Sequence, residues 1–255
     1  MKKTLSCLFA LLMILCSCAA PAAGEGFRYE GDGFDTPEEA LMCYVAGIKA
    51  LDFQKILSAF AWETQASHYS IEMNLKRIGS FSPTMKPRIP SDHPFAVSAN
   101  LEAIRSQQID YIYHAIEGLM MGEHYHDGMP VTLRNDNELS DFIGYFDSGK
   151  LDLLSGMTNI RLIAPEQVIT DSNFQSEHNM EFFRQSTAVY GGDEARNIIA
   201  LADLSDGTVF YCCPTLIRYG SKWYIVTVTS YTSQFLGINP YLQAFCCGTM
   251  SEMLR

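Results

Sequence analysis

Three polar residues of one predicted helix have the spacing of an acid–base cluster. Asp110, His114 and Glu117 are four and three residues apart, so an α-helix would place them on one face. A carboxylate beside a histidine raises the pKa of the imidazole and fixes its tautomer, as general-base catalysis requires. The competing interpretation is a solvated polar face. The apolar stripe of the same helix points elsewhere, which favours the solvated face.

A second polar cluster, "GEHYHDG", contains His124, His126 and Asp127. In an extended segment the two histidines project to the same side and could share a zinc or copper ion. No third ligand is fixed by the sequence, and a polar loop after a helix explains the segment equally well. We therefore predict no metal site and no cofactor.

Motifs for nucleophilic catalysis or nucleotide binding do not occur in the chain. There is no G-x-S-x-G, no Walker loop and no G-x-G-x-x-G. The sequence predicts no catalytic residues, and the candidate ligand-binding residues are Trp62 and Trp223, whose rings could stack on a ligand. For Trp62 the alternative is burial against a sheet, which would contribute about 2 to 3 kcal/mol of apolar transfer.

The N-terminus has the features of an export signal. Two lysines precede an apolar run of about eleven residues, too short to cross a bilayer, which takes about twenty. The sequence Leu15-Cys16-Ser17-Cys18 resembles the bacterial lipobox, in which a small residue precedes the modified cysteine. The resemblance implies cleavage after residue 17 and lipidation of Cys18, with residues 18–33 as a tether. The alternative is an unlipidated secreted protein.

The composition excludes some partners. Without residues 1–17 the chain has 16 basic and 29 acidic residues, a formal charge of −13. Such a surface repels nucleic acid and anionic headgroups, so we expect no nucleic acid partner. An apolar content of 47% with 12% aromatic residues indicates a packed core. The length after the tether suits one large domain or two small ones, and we predict a single domain over residues 34–255.

Five cysteines follow residue 18, namely Cys43, Cys212, Cys213, Cys246 and Cys247. Outside the cytosol a bridge between the two vicinal pairs could persist. Neighbours in a strand point to opposite faces, so two bridges at once are not expected. Adjacent cysteines lack the usual ligand spacing for zinc, and the remaining alternative is small buried side chains.

Helices are predicted in the first half of the chain. Thr36, Pro37 and Glu39 form the start signal of a first helix, with a capping box. Asp52 should cap a second, short helix, and a third is predicted over residues 70–78. A segment with four prolines precedes a long helix, and a further helix is predicted over residues 138–146.

Strands are predicted in the second half. One strand precedes Pro165, and a helix over Glu177–Tyr190 ends at Gly191. Three β-rich segments follow, joined by turns at Asp206-Gly207 and Gly220-Ser221. Pro214 cannot donate a ladder hydrogen bond, so its strand should lie at an edge or bulge there. The segments cover residues 197–203, 208–219 and 222–229.

These elements resemble the nuclear transport factor two-like, or cystatin-like (SnoaL-like), superfamily. The resemblance rests on Thr36-Pro37-Glu38-Glu39-Ala40, on the Leu51-Asp52-Phe53 junction and on the hairpin from Gly220 to Ile225. It implies an α+β fold in which N-terminal helices precede a curved, cone-like antiparallel β-sheet. Residues 67–149 would then be a helical insertion. The superfamily hosts many activities, so it names no function.

The whole chain also resembles lipoproteins of gut Firmicutes. We expect a cell-envelope lipoprotein that is anchored outside the cytoplasm and acts as a binding or interaction module, without catalysis of its own. Its partner would be a small molecule or an envelope protein. The alternative is a pocket enzyme of the cone fold, with Asp110, His114 and Glu117 as acid–base residues.

Overall fold

The computed structural model of the protein describes residues 28–80, 88–126, 129–239 and 242–253. Helices come first and antiparallel strands follow, so the fold is α+β as the sequence predicts. The helices are α1 (Pro37–Lys49), α2 (Phe53–Leu57), α3 (Trp62–His68), α4 (Ile71–Ile78), α5 (Pro94–Met121), α6 (Asp136–Gly144), α7 (Asp152–Ser155), α8 (Glu177–Tyr190) and α9 (Met250–Met253). The strands are β1 (Thr158–Ile163), β2 (Glu194–Asn197), β3 (Ile199–Asp203), β4 (Val209–Cys212), β5 (Thr215–Tyr219), β6 (Lys222–Thr227) and β7 (Cys246–Gly248).

Capping residues fix the starts of the first helices where the sequence predicts them. The Thr36 hydroxyl accepts from the Glu39 amide, and the Glu39 carboxylate accepts from the Thr36 amide, which completes the capping box of α1. Asp52 and Ser70 act as simple side-chain caps: Asp52 accepts from the Lys55 amide at the start of α2, and Ser70 accepts from the Met73 amide at the start of α4. Helix α3 was not predicted, because Ala61 at its N-cap has no side chain that could accept a hydrogen bond.

The strands of the sheet are divided by bends into shorter segments. β1, β3, β4 and β7 form one antiparallel sheet, and β2, β5 and β6 form another. Strands β2 and β3 are separated only by Ile198. The pairing register is the same on both sides of this residue, since Asn197 pairs with Thr215 of β5 and Ala200 pairs with Cys212 of β4. The two sheets are therefore two halves of one strongly curved sheet. This confirms the predicted curved antiparallel sheet.

Proline accounts for one of the bends. β4 ends at Cys212 and β5 begins at Thr215, so Cys213 and Pro214 lie between them. The β5–β6 register also shifts between Thr215 and Leu216. A proline cannot continue the ladder, and the interruption follows the prediction made for Pro214.

The concave face of the sheet is filled by α1. Tyr44 of this helix is fully buried, and its hydroxyl donates to the Ala244 carbonyl at 3.0 Å. The Phe60 ring stacks on Trp62 with 4.6 Å between centroids and meets Tyr44 edge-on. Burial on this scale is the main stabilising term of such a domain.

The long helix α5 closes the same core from outside the sheet. Ile104 and Ile112 are fully buried, as the apolar stripe predicts. Gln108 interrupts this stripe but is also buried, and its Oε1 accepts from the Val228 amide at 2.9 Å. The glutamine therefore supplies the hydrogen bond that the backbone needs beyond the end of β6.

Candidate functional site

A groove of about 690 Å³ lies where the N-terminus of α1 meets the ends of β1 and β2. Two runs of consecutive residues line it, 162–166 after and within β1 and 194–198 along β2. Side chains of consecutive strand residues point to opposite faces of a sheet. Consecutive residues can therefore line the same groove only if the groove runs along the edge of the strand. The remaining lining residues are Asp35, Thr36, Pro37, Glu38, Phe174, Met180, Phe183, Trp223, Tyr231 and Thr232.

The α1 end of the groove is held rigidly. The Glu39 carboxylate accepts from the Asp35 amide at 3.1 Å, beside the capping box. Asp35 in turn pairs with Lys222 of β6, with 2.6 Å between Oδ1 and Nζ. The amides of Asp35, Thr36 and Glu39 are therefore bonded by the chain itself, and carboxylates surround them. This end of the groove is unsuited to an anion.

Two polar atoms in the groove wall are buried without a hydrogen-bond partner. These are Asn197 Oδ1 and the Tyr231 hydroxyl. The amide nitrogen of Asn197 donates to Thr232 Oγ1 at 2.6 Å, which fixes the orientation of the side chain and leaves its oxygen unmatched. An unmatched buried polar atom costs about 1 to 3 kcal/mol. Among the described residues, five other buried side-chain atoms are also unmatched, on Gln65, Arg77, Arg88 and Arg105, and none of these residues lines the groove. The two oxygens on groove residues are the ones whose missing partners a ligand could supply.

An aromatic cluster forms the apolar wall. The Tyr231 ring lies parallel to Phe174, 6.2 Å away, and meets Phe235 edge-on at 5.1 Å. Burial raises the pKa of Tyr231, and the charge of Asp171 raises it further. The hydroxyl therefore stays protonated at neutral pH and can donate or accept.

The charged residues of the groove are mainly acidic. Glu194 pairs with Arg196 at 2.5 Å and with Arg218 at 3.4 Å. Within the described residues, Glu38 and Glu166 have no ion pair to a cation. Arg196 is the single basic residue of the lining, so the groove as a whole favours a cationic ligand.

The two tryptophans singled out from the sequence lie in different places. Trp62 is 1% exposed, and its indole N–H donates to the Leu57 carbonyl at 2.9 Å, so it belongs to the core. The structure thus follows the burial alternative for this residue. Trp223 is 7% exposed, packs in the α1 core and borders the groove.

The predicted acid–base cluster lies on the surface of α5. His114 Nδ1 and Glu117 Oε2 are 3.1 Å apart, and the His114 side chain is 46% exposed. Asp110 is exposed one turn earlier on the same helix. None of the three lines the groove. The arrangement matches the solvated face that the apolar stripe favours.

The histidine cluster is also part of the surface. The His124 ring stacks on Tyr145 with 4.0 Å between centroids, and His126 is exposed. Asp127 lies outside the described residues. Among the residues that the structure describes, no three His, Cys, Asp or Glu side chains are placed to hold one metal ion.

The five cysteines of the described chain are free thiols. The β4–β7 register explains this, because Tyr211 stands opposite Cys246 and Phe210 opposite Cys247. Cys212 therefore lies diagonal to Cys247 on the same face, at a spacing too long for a disulfide. Adjacent cysteines occupy opposite faces, as predicted: Cys212 and Cys247 pack in the α1 core, and Cys213 and Cys246 in the core beyond the sheet.

Burial suppresses the reactivity of these thiols. It raises the pKa of Cys213 and Cys247 to about 12 and that of Cys246 to about 11. The pKa of Cys212 is also well above its ordinary value, mainly through burial. All four are protonated at neutral pH and act as small packing groups.

The residues that carry the site have no signature in the sequence. Asn197 begins a predicted strand, and Tyr231 belongs to no motif. Their shared property is an unmatched polar atom, which exists only after distant segments have packed. The predicted lipidation site Cys18 lies outside the described residues.

Comparisons with known proteins give one distant structural match. No protein-family model and no curated protein matches the chain. A cystatin-like protein from Ruminococcus gnavus ATCC 29149 has 12% sequence identity and a TM-score of 0.45 over 89% of this chain. The chain spans 44% of that protein's length. In the part of the chain that the structure describes, no helix has the length and apolarity needed to cross a bilayer.

Proposed function

We propose that the protein is a binding module of the cell envelope whose ligand site is the groove beside β2. The observation that carries the proposal is the pair of buried, unmatched atoms, Asn197 Oδ1 and the Tyr231 hydroxyl, on two residues that line a groove of mixed polar and apolar character. A protein that keeps such atoms unpaired gives up stability, and functional sites are where this is expected.

The lining defines the ligand by its chemistry. Asn197 Oδ1 needs a hydrogen-bond donor, and the unpaired carboxylates of Glu38 and Glu166 favour positive charge. The rings of Phe174 and Tyr231 offer an apolar surface. A ligand with a cationic, hydrogen-bond-donating group on an apolar body satisfies all three requirements.

A panel of four amines tests this proposal: phenethylamine, tyramine, agmatine and spermidine. Each is titrated into the isotope-labelled full chain in detergent, and backbone amide shifts are followed by NMR. We expect at least one amine to bind at millimolar concentration, with shifts centred on Asn197 and Tyr231. N-acetylphenethylamine, which is neutral, should bind more weakly than phenethylamine.

Two variants make the result specific to the groove. Glu166→Gln should weaken amine binding about two- to fivefold, the effect of one exposed charge, and lower its salt dependence. Glu123→Gln is the matched control, since this side chain is 90% exposed and lies away from the groove. If Glu123→Gln and Glu166→Gln changed amine binding equally, or if the amide shifts were centred elsewhere, the groove would be ruled out as the binding site.

The envelope location is a separate part of the proposal, supported by the lipobox-like sequence alone. In a bacterial host fed an alkyne fatty acid, the wild-type chain should become labelled and sediment with membranes. Cys18→Ala should abolish the label, while Cys16→Ala should keep it, because Cys16 is removed with the signal. A labelled Cys18→Ala chain would contradict lipidation at this residue.

A further inference from the structure

The outer edge of β2 is unpaired in the part of the chain that the structure describes. The sheet order places β2 at one side of its three strands, with β5 on the inner side only. β1 runs along β3 but ends at Ile163, which pairs with Ile199. Beyond this point the line of β1 continues into the groove. An edge strand presents a row of backbone N–H and C=O groups that can bind another strand.

The hydrogen-bond alternation identifies which backbone groups face the groove. Leu204 donates to Thr208 at 2.9 Å where the β3–β4 hairpin closes. In an antiparallel ladder, the backbone N–H and C=O groups of successive residues point alternately to the two neighbouring strands. Residues that precede Leu204 by an even number of positions, such as Arg196, therefore direct these groups toward β4 and β5. The pairing offset stays constant from β3 into β2. Ala195 and Asn197 therefore direct their backbone N–H and C=O groups toward the groove.

The walls on either side of this edge differ in character. Leu162 and Trp223 belong to the α1 core, on the side where Asp35 and Glu38 stand. Ile163 belongs to the other core, with Phe174 and Tyr231. A strand added along β2 would direct alternate side chains to these two sides. One set would meet the carboxylates of Asp35 and Glu38 and the Glu194–Arg196 ion pair, which has the same strand parity as Ala200 of the α1 core. The other set would meet aromatic rings.

From these observations we infer that the groove binds an extended polypeptide segment as an additional strand along β2, with basic and apolar side chains in alternation. This inference rests on the proposed function and specifies its ligand class. Main-chain hydrogen bonds to Ala195 and Asn197 would give affinity, and the two walls would give specificity. Asn197 and Tyr231, whose side-chain oxygens are unmatched, line the same groove.

The test uses a fluorescein-labelled hexapeptide, Lys-Val-Arg-Val-Lys-Val, blocked at its C-terminus, and fluorescence anisotropy with the full chain in detergent. The charge-reversed peptide Glu-Val-Glu-Val-Glu-Val is the specificity control. We expect the basic peptide to bind at least tenfold more tightly than the acidic one.

Backbone methylation distinguishes strand addition from other modes of binding. Two further peptides carry N-methyl groups either at the three basic positions or at the three valines. In an added strand only one set of amides faces β2, so one methylated peptide should bind at least tenfold more weakly than the parent and the other should retain binding. Equal affinity of both methylated peptides would overturn the inference.

A protein variant tests the same contact from the other side. Ala195→Pro removes the outward N–H without touching the bonds to β5, and edge strands accept proline at such positions. Ala195→Ser keeps the N–H and is the matched control. We expect at least tenfold weaker peptide binding for Ala195→Pro and no more than a twofold change for Ala195→Ser. If Ala195→Pro fails to fold, the methylated peptides decide the matter.

The outcomes separate this inference from the proposed function. If the amines of the panel bind in the groove but the hexapeptide does not, strand addition is wrong and the groove remains a binding site for small cations. If neither amines nor peptide bind, both proposals fail. If Ala195→Pro loses the peptide but still binds the amines, both proposals are supported.

Discussion

Replacing Tyr231 by phenylalanine should make the unliganded protein more stable. The hydroxyl is buried without a partner, while the ring contacts Phe174 and Phe235. Tyr231→Phe keeps these ring contacts and removes only the unmatched oxygen. Since such a group costs about 1 to 3 kcal/mol, the free energy of unfolding should rise by up to that amount.

The gain is large enough to measure by calorimetry. For a chain of 150 to 250 residues, 1 kcal/mol shifts the melting temperature by about 2 to 4 °C. We therefore expect Tyr231→Phe to melt about 2 to 12 °C higher than the wild type. Urea unfolding of the same samples should show a higher midpoint with an unchanged slope.

Tyr44→Phe is the matched control and should act in the opposite direction. The Tyr44 hydroxyl donates to the Ala244 carbonyl at 3.0 Å, so its removal leaves a buried acceptor unpaired. A loss of about 1 to 3 kcal/mol is expected. If Tyr231→Phe destabilised the protein as much as Tyr44→Phe, the Tyr231 hydroxyl would have a partner in the folded state, and the argument for the groove would be refuted.

Three further predictions concern the core and the first helix. Trp62→Ala should cost about 3 to 5 kcal/mol in urea unfolding, because it removes a fully buried ring; a loss below about 1 kcal/mol would contradict that packing. The folded pKa of Cys213, about 12, lies above its ordinary value of 9.0. The stability from this protonated thiol is therefore complete below about pH 9, and it should fall between about pH 9 and 12 by up to about 1.4 kcal/mol per pH unit. Cys213→Ala should flatten this slope, and an unchanged slope would contradict the assignment. Thr36→Ala should lower the free energy of unfolding by about 1 kcal/mol and reduce amide protection in α1, because it removes the cap of that helix. Thr208→Ala, on the β3–β4 turn, is the control and should leave the amide protection of α1 unchanged.

Local chemistry explains why the helix starts could be predicted from the sequence. The capping box of Thr36 and Glu39 and the caps at Asp52 and Ser70 depend on residues within three positions of each other. The end of α8 at Gly191, which has a φ of +67°, is equally local, since glycine adopts this conformation without a Cβ clash.

The site could not be predicted because it depends on long-range packing. Asn197 and Tyr231 are 34 positions apart in sequence, and neither belongs to a motif. Their unmatched atoms arise only when the segment after β6 packs over β2. The pairing of the cysteines was undecidable for the same reason, because the β4–β7 register that separates Cys212 from Cys247 is a tertiary feature.

Amide hydrogen exchange along β2 tests the central claim most directly. In the unliganded full chain, the Ala195 and Asn197 amides should exchange quickly, whereas the Arg196 amide, which bonds to β5, should be protected. Adding the basic hexapeptide should slow exchange at Ala195 and Asn197 and leave Arg196 unchanged. Equal protection of all three amides before the peptide is added, with no change afterwards, would contradict the claim that the free edge of β2 is the binding site.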